Sequence, residues 1–318
     1  MKVVLTGASG FIGSQLRKRL PTGCALLLGR DKPEDYTSEE FYELTIGSDT
    51  DYSAILNGVD VIVHLAARVH VMNDDASEPL EEYREVNTRG TVNFARQAAE
   101  ANVKRFVFVS SIKVNGEATT LGKPFTSVDV HAPEDEYGIS KAEAETELFE
   151  IGKVTGMEVV VIRPTLVYGP GVKANFASLM NLVSKGVPLP FGCIRDNRRS
   201  LVSVTNLVDL IVTCIDHPKA ANQVFLVSDD HDVSTSEMVL QMARVLGGAQ
   251  WQIPVPRWCY QLVGKLLGKQ DVVDRLLGSL QVDITHTKET LNWTPPQSLE
   301  EGFKQTAQAF IKSKHKQK

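Results

Sequence analysis

Tyr137 and Lys141 stand four residues apart in Tyr137-Gly138-Ile139-Ser140-Lys141, so a helix that begins there carries both on one face. Upstream, Ser110-Ser111 follows the apolar run Arg105 to Val109, which places a hydroxyl at the end of a strand. A tyrosine, a lysine and a serine in this order can move a proton on or off a substrate oxygen while hydride moves at the adjacent carbon. A phenol near its ordinary pKa of about 10 is a poor base at neutral pH, so a neighbouring cation must favour the phenolate. Lys141 supplies that charge. Many surface helices also begin with Tyr-x-x-x-Lys. What distinguishes this one is its place after a glycine fingerprint, a buried strand and a strand-terminal serine.

Hydride needs an acceptor, and Gly7-Ala8-Ser9-Gly10-Phe11-Ile12-Gly13 lies between an apolar strand and a helical pattern, where a dinucleotide fingerprint belongs. Its glycines allow a tight turn, a backbone close to a pyrophosphate, and a helix packed closely on its strand. Where the second strand ends, enzymes that bind NAD usually place an acid on the ribose 2'-hydroxyl, but this chain has Gly29-Arg30. Arg30 suits a 2'-phosphate, so NADP is favoured over NAD, with Asp31 the residue that would restore NAD. His64 ends another apolar run. No other histidine stands beside it in sequence, so it reads as structural rather than catalytic or metal-binding.

These residues need a scaffold that delivers strand ends to one edge. Lys2 to Leu5, Cys24 to Leu28, Val59 to Leu65, Arg105 to Val109 and Glu158 to Arg163 are near-continuous apolar runs, as burial on both faces requires. Between them Phe11 to Leu20, Glu81 to Glu100 and Ser140 to Thr155 repeat at helical spacing. The expectation is a doubly wound parallel sheet over residues 1–170 and a smaller substrate lobe over 171–311, from which some strands return to the sheet. Lys312 to Lys318, a charge run without an apolar anchor, is expected to fray as a disordered tail.

A length of 318 residues suits one large domain with an appended lobe, and 42% hydrophobic residues supply the core. The net charge of −5 argues against a nucleic-acid surface and for a small-molecule partner. Cys24, Cys193, Cys214 and Cys259 lie far apart, which indicates neither a disulfide framework nor a metal site and fits a reducing cytoplasm. No apolar run reaches the ~20 residues of a membrane span. Trp258 to Leu280 repeats at helical spacing among Lys265, Lys269 and Asp274, and is read as a helix of the substrate lobe rather than a membrane contact.

With these motifs in order, the chain resembles the extended short-chain dehydrogenases of the nucleotide-sugar epimerase and dehydratase group. The resemblance rests on Gly7 to Gly13, Asp60 to Ala67, Asn87 to Thr91, Ser110-Ser111 with Tyr137 to Lys141, and Arg163 to Gly171. It implies a Rossmann-type fold, a homodimer through the helices Glu81 to Glu100 and Ser140 to Thr155, and a UDP-linked sugar as substrate. It makes Ser111 the hydroxyl that orients the substrate oxygen, Tyr137 the acid or base, and Lys141 the residue that tunes Tyr137 and binds the nicotinamide ribose. Leu65, Ala66 and Ala67 would line the cofactor cleft beside Gly7, Gly10, Phe11, Ile12, Gly13 and Arg30. Ile46, in Thr45-Ile46, stands where relatives carry Asp-Ile or Asp-Leu near the adenine. Asn175, Arg199 and Arg275 would hold the diphosphate, a task for which arginine forks are suited.

The run Ser111 to Gly116, where Asn115 replaces a tyrosine common in epimerases, together with Gly171 to Phe176 and Arg275 to Asp283, resembles reductases of 4-keto-6-deoxy UDP-N-acetylhexosamines. Reduction at sugar C4 is therefore the expected reaction. A UDP-sugar 4-epimerase is the alternative. A cofactor-sensing protein without catalysis is more remote, because it would not need Ser111, Tyr137 and Lys141.

Overall fold

Alternate residues of the apolar runs face opposite sides of one sheet, and both sides are buried. The computed structural model describes residues 1–21, 23–33, 40–69, 78–172 and 174–316. Strands β1 (Val3–Thr6), β2 (Ala25–Gly29), β3 (Phe41–Glu43), β4 (Val61–His64), β5 (Arg105–Val109) and β6 (Glu158–Pro164) alternate with helices α1 (Phe11–Leu16), α2 (Ser53–Leu56), α3 (Pro79–Tyr83), α4 (Thr91–Glu100) and α5 (Glu136–Thr155). Further on come β7 (Leu166–Tyr168), α6 (Ala174–Val183), β8 (Arg199–Ser203), α7 (Val204–Asp216), β9 (Gln223–Val227), β10 (Asp232–Val233) and α8 (Thr235–Leu246). Helices α9 (Arg257–Leu267), α10 (Gln270–Leu277), α11 (Thr285–Leu291) and α12 (Leu299–Lys316) complete the order.

Seven parallel strands form the main sheet in the order β3-β2-β1-β4-β5-β6-β9. On one face Val3, Leu5, Val63, Val107 and Ile162 pack with Leu16 of α1 and Leu207 and Ile211 of α7. On the other, Val4, Ile62, Phe106 and Val161 pack with Phe94 and Ala98 of α4 and Leu148 of α5. This is the Rossmann-type architecture that the apolar runs require. Because the chain reverses its strand order between β1 and β4, a crevice opens at their carboxyl ends.

A second sheet, β10-β8-β7, and helices α6, α8 and α12 enclose their own core around Tyr168, Phe176, Met242 and Phe303. The lobe is not a simple appendix, because α7 and β9 leave it to join the main sheet. Helix α12 runs to Lys316, through residues expected to fray, and Lys314 lies over the Phe310 ring and donates to Ser184 Oγ at 2.9 Å.

The helix expected from Glu81 to Glu100 is interrupted, because Arg84–Gly90 forms a π-helical stretch between α3 and α4. Two side effects of that stretch matter. Gly90 is pressed against Ile46 and Gly47, where a Cβ would come within 2.8 Å of Ile46 Cγ2. Asn87 turns inward, accepts from Arg68 N at 2.8 Å and donates to Ser140 Oγ on α5 at 3.0 Å.

Candidate active site at the carboxyl edge of the sheet

The glycine turn follows β1 directly and faces the end of β4. Gly7 has φ +69°, and a Cβ there would lie 2.9 Å from Ala66 N. Gly13 is closer still to its surroundings, since a Cβ would fall 2.1 Å from Gly7 O. Hence only glycine permits α1 to start this near the strand. Phe11 and Ile12 pack against the core of that face. Thr6 Oγ1 accepts from Leu65 N at 3.1 Å and Ala66 N at 3.0 Å, which fixes the two carboxyl ends side by side. A cradle of this kind, with backbone on both sides and no room for side chains, fits the pyrophosphate of a dinucleotide.

His64 is fully buried, with ring nitrogens 3.0 Å from Thr6 Oγ1 and 3.0 Å from Thr91 Oγ1. Burial, aided by the nearby charge of Lys141, lowers its pKa to about 3. It is a neutral bridge beneath the crevice. Ile46 is also buried, against Gly90, whereas Arg30 is exposed just beyond β2.

On the far side of the crevice, Ser111 ends β5's excursion and caps a short 3-10 turn, Ile112–Val114, by accepting from Lys113 N at 3.2 Å. Helix α5 begins at Glu136, one residue before Tyr137, because Asp135 caps it through a bond from Gly138 N of 2.7 Å. Tyr137 and Lys141 therefore occupy its first two turns. Lys141 is buried, and its Nζ donates to Val109 O at 2.9 Å and lies 4.1 Å above the Phe108 ring. Burial pushes its pKa down to about 7 against the opposing pull of Glu145. Tyr137 sits edge-on to Tyr83, with centroids 6.3 Å apart. Burial first, then the negative charge of Asp135, raises its phenol above the ordinary tyrosine range. The lysine is thus anchored to the end of β5 rather than hydrogen-bonded to the phenol, a partner that sequence spacing cannot reveal.

Several residues that the sequence did not mark hold this edge. Lys113 pairs with both Asp135 and Glu117. Beneath α5, Arg163 forks onto Glu145, donates to Asn115 Oδ1 at 2.9 Å and approaches His131 Nε2 at 2.7 Å. Burial alone would raise the Glu145 carboxyl, but hydrogen bonds from His131 and Arg163 bring it below the usual range. Asn115 also donates to Thr126 O at 3.0 Å, so both ends of its amide are engaged within the fold.

In the lobe, Arg199 on β8 donates to Arg275 O at 2.8 Å, which brings these two expected diphosphate ligands together. Burial, with the charge of Arg275, lowers the Arg199 pKa. Asn175 lies in α6, but its side chain is outside the described residues. Among the described residues no group of three or more His, Cys, Asp or Glu could hold a metal ion, and no helix is long and apolar enough to cross a membrane.

The sequence profile of the NAD dependent epimerase/dehydratase family matches residues 3–228. A UDP-glucose 4-epimerase of Vibrio cholerae is 60% identical over 317 residues, covering 99% of this chain and 97% of that protein. An N-acetyl-alpha-D-glucosaminyl-diphospho-ditrans,octacis-undecaprenol 4-epimerase of Escherichia coli O157:H7 is 29% identical, covering 98% of this chain and 96% of that protein. The crystal structure of a UDP-glucuronic acid 4-epimerase from Bacillus cereus with NAD superposes with a TM-score of 0.79 at 18% identity, over 98% of this chain and 99% of that one. At that identity the likeness speaks for the fold.

Proposed function

The chain belongs to the NAD dependent epimerase/dehydratase family, and from that premise we propose that it is a UDP-sugar 4-epimerase acting on UDP-glucose. The observation that carries this reading is the 60% identity, over almost the whole of both chains, to a UDP-glucose 4-epimerase. Reduction of a 4-keto-6-deoxy sugar, the reaction favoured from sequence, has no such support. Its principal mark, Asn115, is taken up by Arg163 and the Thr126 carbonyl.

In this reading the glycine cradle and residues Leu65 to Ala67 hold a nicotinamide dinucleotide. Bound there, such a group would supply a reversible acceptor for the hydride of sugar C4. Tyr137 takes the proton of the C4 hydroxyl as hydride leaves and gives it back as hydride returns, so each turnover is redox-neutral. Ser111 orients the same oxygen by a hydrogen bond. Lys141, one helical turn along the same face of α5, is the cation proposed to favour the phenolate. Arg199 and Arg275 hold the diphosphate. Arg30, beyond β2, is the residue proposed to admit NADP as well as NAD. We further propose a homodimer through α4 and α5, for which light scattering should give twice the mass of one chain.

The test is incubation with UDP-glucose and no added reductant. UDP-galactose should form with no net change at the reduced-nicotinamide band. One-for-one loss of NADPH or NADH with a 4-keto-6-deoxy UDP-sugar, and no interconversion of UDP-glucose, would replace the epimerase with the reductase.

A second substrate is favoured by one feature, the exposed apolar side of α9, which suits an enzyme that meets its sugar diphosphate on a polyprenol at a membrane. The Escherichia coli relative is named for such a substrate. Conversion of a polyprenyl diphosphate-linked N-acetylglucosamine faster than UDP-glucose would select it.

A further inference from the structure

The stretch Trp258 to Leu280, read from sequence as a helix of the substrate lobe, is largely two helices, α9 and α10, and α9 does not bury its apolar side there. Trp258 is 63% exposed, Leu262 51% and Leu266 75%. These residues are spaced by four and form one row along the helix. Leu267 and, on α10, Val272 extend the exposed apolar surface. The buried side of α9 is narrow: Gly264 lies against Val273 of α10, which packs with Leu277, Ile194 and Tyr260 in a small separate core. The pair of helices therefore stands off the body of the lobe on a thin base. A row of tryptophan and leucine open to water needs a cover.

We infer that this face docks on the surface of an anionic phospholipid bilayer, with α9 lying in the plane of the headgroups. Charge selects this cover. Leaving aside Arg275, which is assigned to the diphosphate, the stretch from Arg257 to Gly278 holds three basic residues (Arg257, Lys265, Lys269) and two acidic ones (Asp271, Asp274), a local excess of positive charge in a chain of net charge −5. Lys265 and Lys269 are exposed beside the leucine row and make no ion pair among the described residues. Their long stems can lie along acyl chains while the ammonium groups stay with lipid phosphates. A second copy of this chain would present the same cations to the same rim. The inference does not depend on which sugar donor the active site takes.

Co-flotation with vesicles of phosphatidylglycerol and phosphatidylethanolamine tests it. The wild-type chain should float with them, float at least tenfold less with phosphatidylcholine alone, and be released as salt rises, since salt screens the attraction of basic residues to an anionic surface. Trp258 emission should shift to the blue on binding. The doubly substituted L262E/L266E protein changes only exposed positions, so its melting temperature, mass in solution and turnover of UDP-glucose should equal the wild type's while flotation is lost. Absence of flotation by the wild type would overturn the inference. So would equal flotation of the variant, or a fall in its mass, which would make the face an interface between copies. Failure of both proteins to turn over UDP-glucose would count against the epimerase reading and leave the flotation result standing.

Discussion

Lys113 and Asp135 form an ion pair that ties the turn after Ser111 to the first turn of α5, where Tyr137 stands. The other Asp135 oxygen caps the helix through Gly138 N. One carboxylate thus sets the position of the proposed acid and base relative to the serine proposed to orient the substrate. Asp135→Asn keeps a good cap but loses the charge, and should lower kcat about tenfold with KM little changed, as expected when a reacting group is slightly misplaced. Asp135→Ala should lose in addition about 1 kcal/mol of stability from the missing cap. If Asp135→Asn retains full kcat, the pair is not what places Tyr137.

Removal of the phenol oxygen tests the proton itself. Tyr137→Phe should reduce turnover by roughly a hundredfold or more and leave dinucleotide affinity nearly intact, because the ring's contact with Tyr83 survives. Rates within a few-fold of the wild type's, measured by conversion of UDP-glucose, would move the proton to another group.

Arg30 is tested by comparing two cofactors in one variant. Arg30→Ala should weaken NADP by on the order of 1.5 to 3 kcal/mol, the scale of a charged hydrogen bond, and leave NAD unchanged in a calorimetric titration. Equal effects on both, or none, would make Arg30 a bystander on the surface.

His64 gives a signature in pH. Its pKa in the folded chain is lowered to about 3 by burial and by Lys141, below the ordinary value of about 6.5. Between these values the unfolded chain binds the proton and the folded chain does not, so stability rises with pH across that window. The contribution is complete above pH ~6.5 and is lost as pH falls toward ~3, on the order of 5 kcal/mol in all. His64→Gln should flatten the acid side of a plot of unfolding free energy against pH. An unchanged slope would place the acid lability elsewhere.

The cofactor edge was legible because its constraints are local. Gly7 and Gly13 are demanded by backbone contacts within the turn and with Ala66, and Tyr137 and Lys141 share a face by helix geometry alone. What stayed hidden depends on partners distant in sequence. Nothing near Lys141 announces that its ammonium will rest on Val109 O, and nothing near Asn115 announces Arg163. The π-helical stretch at Arg84–Gly90 stayed hidden because such stretches are single-turn insertions of wider i→i+5 bonding within a helix, and no residue type marks them. The exposure of the row on α9 was hidden for a related reason. An apolar helical stripe reports that a face wants cover, and only the packing of its neighbours decides whether the protein supplies it.

The return of β9 to the main sheet bears on how the chain is made. As the ribosome releases residues in order, β6 emerges with one edge paired to β5 and the other, Val160 to Pro164, without a neighbour until Gln223–Val227 arrives. During that interval the nascent sheet presents open backbone donors and acceptors along an apolar strand, the geometry from which chains join one another. The lobe must therefore be synthesised, and α7 laid across the sheet, before the nucleotide half is closed. A chain cut after Pro170 should collect in aggregates rather than survive as a free-standing dinucleotide-binding half.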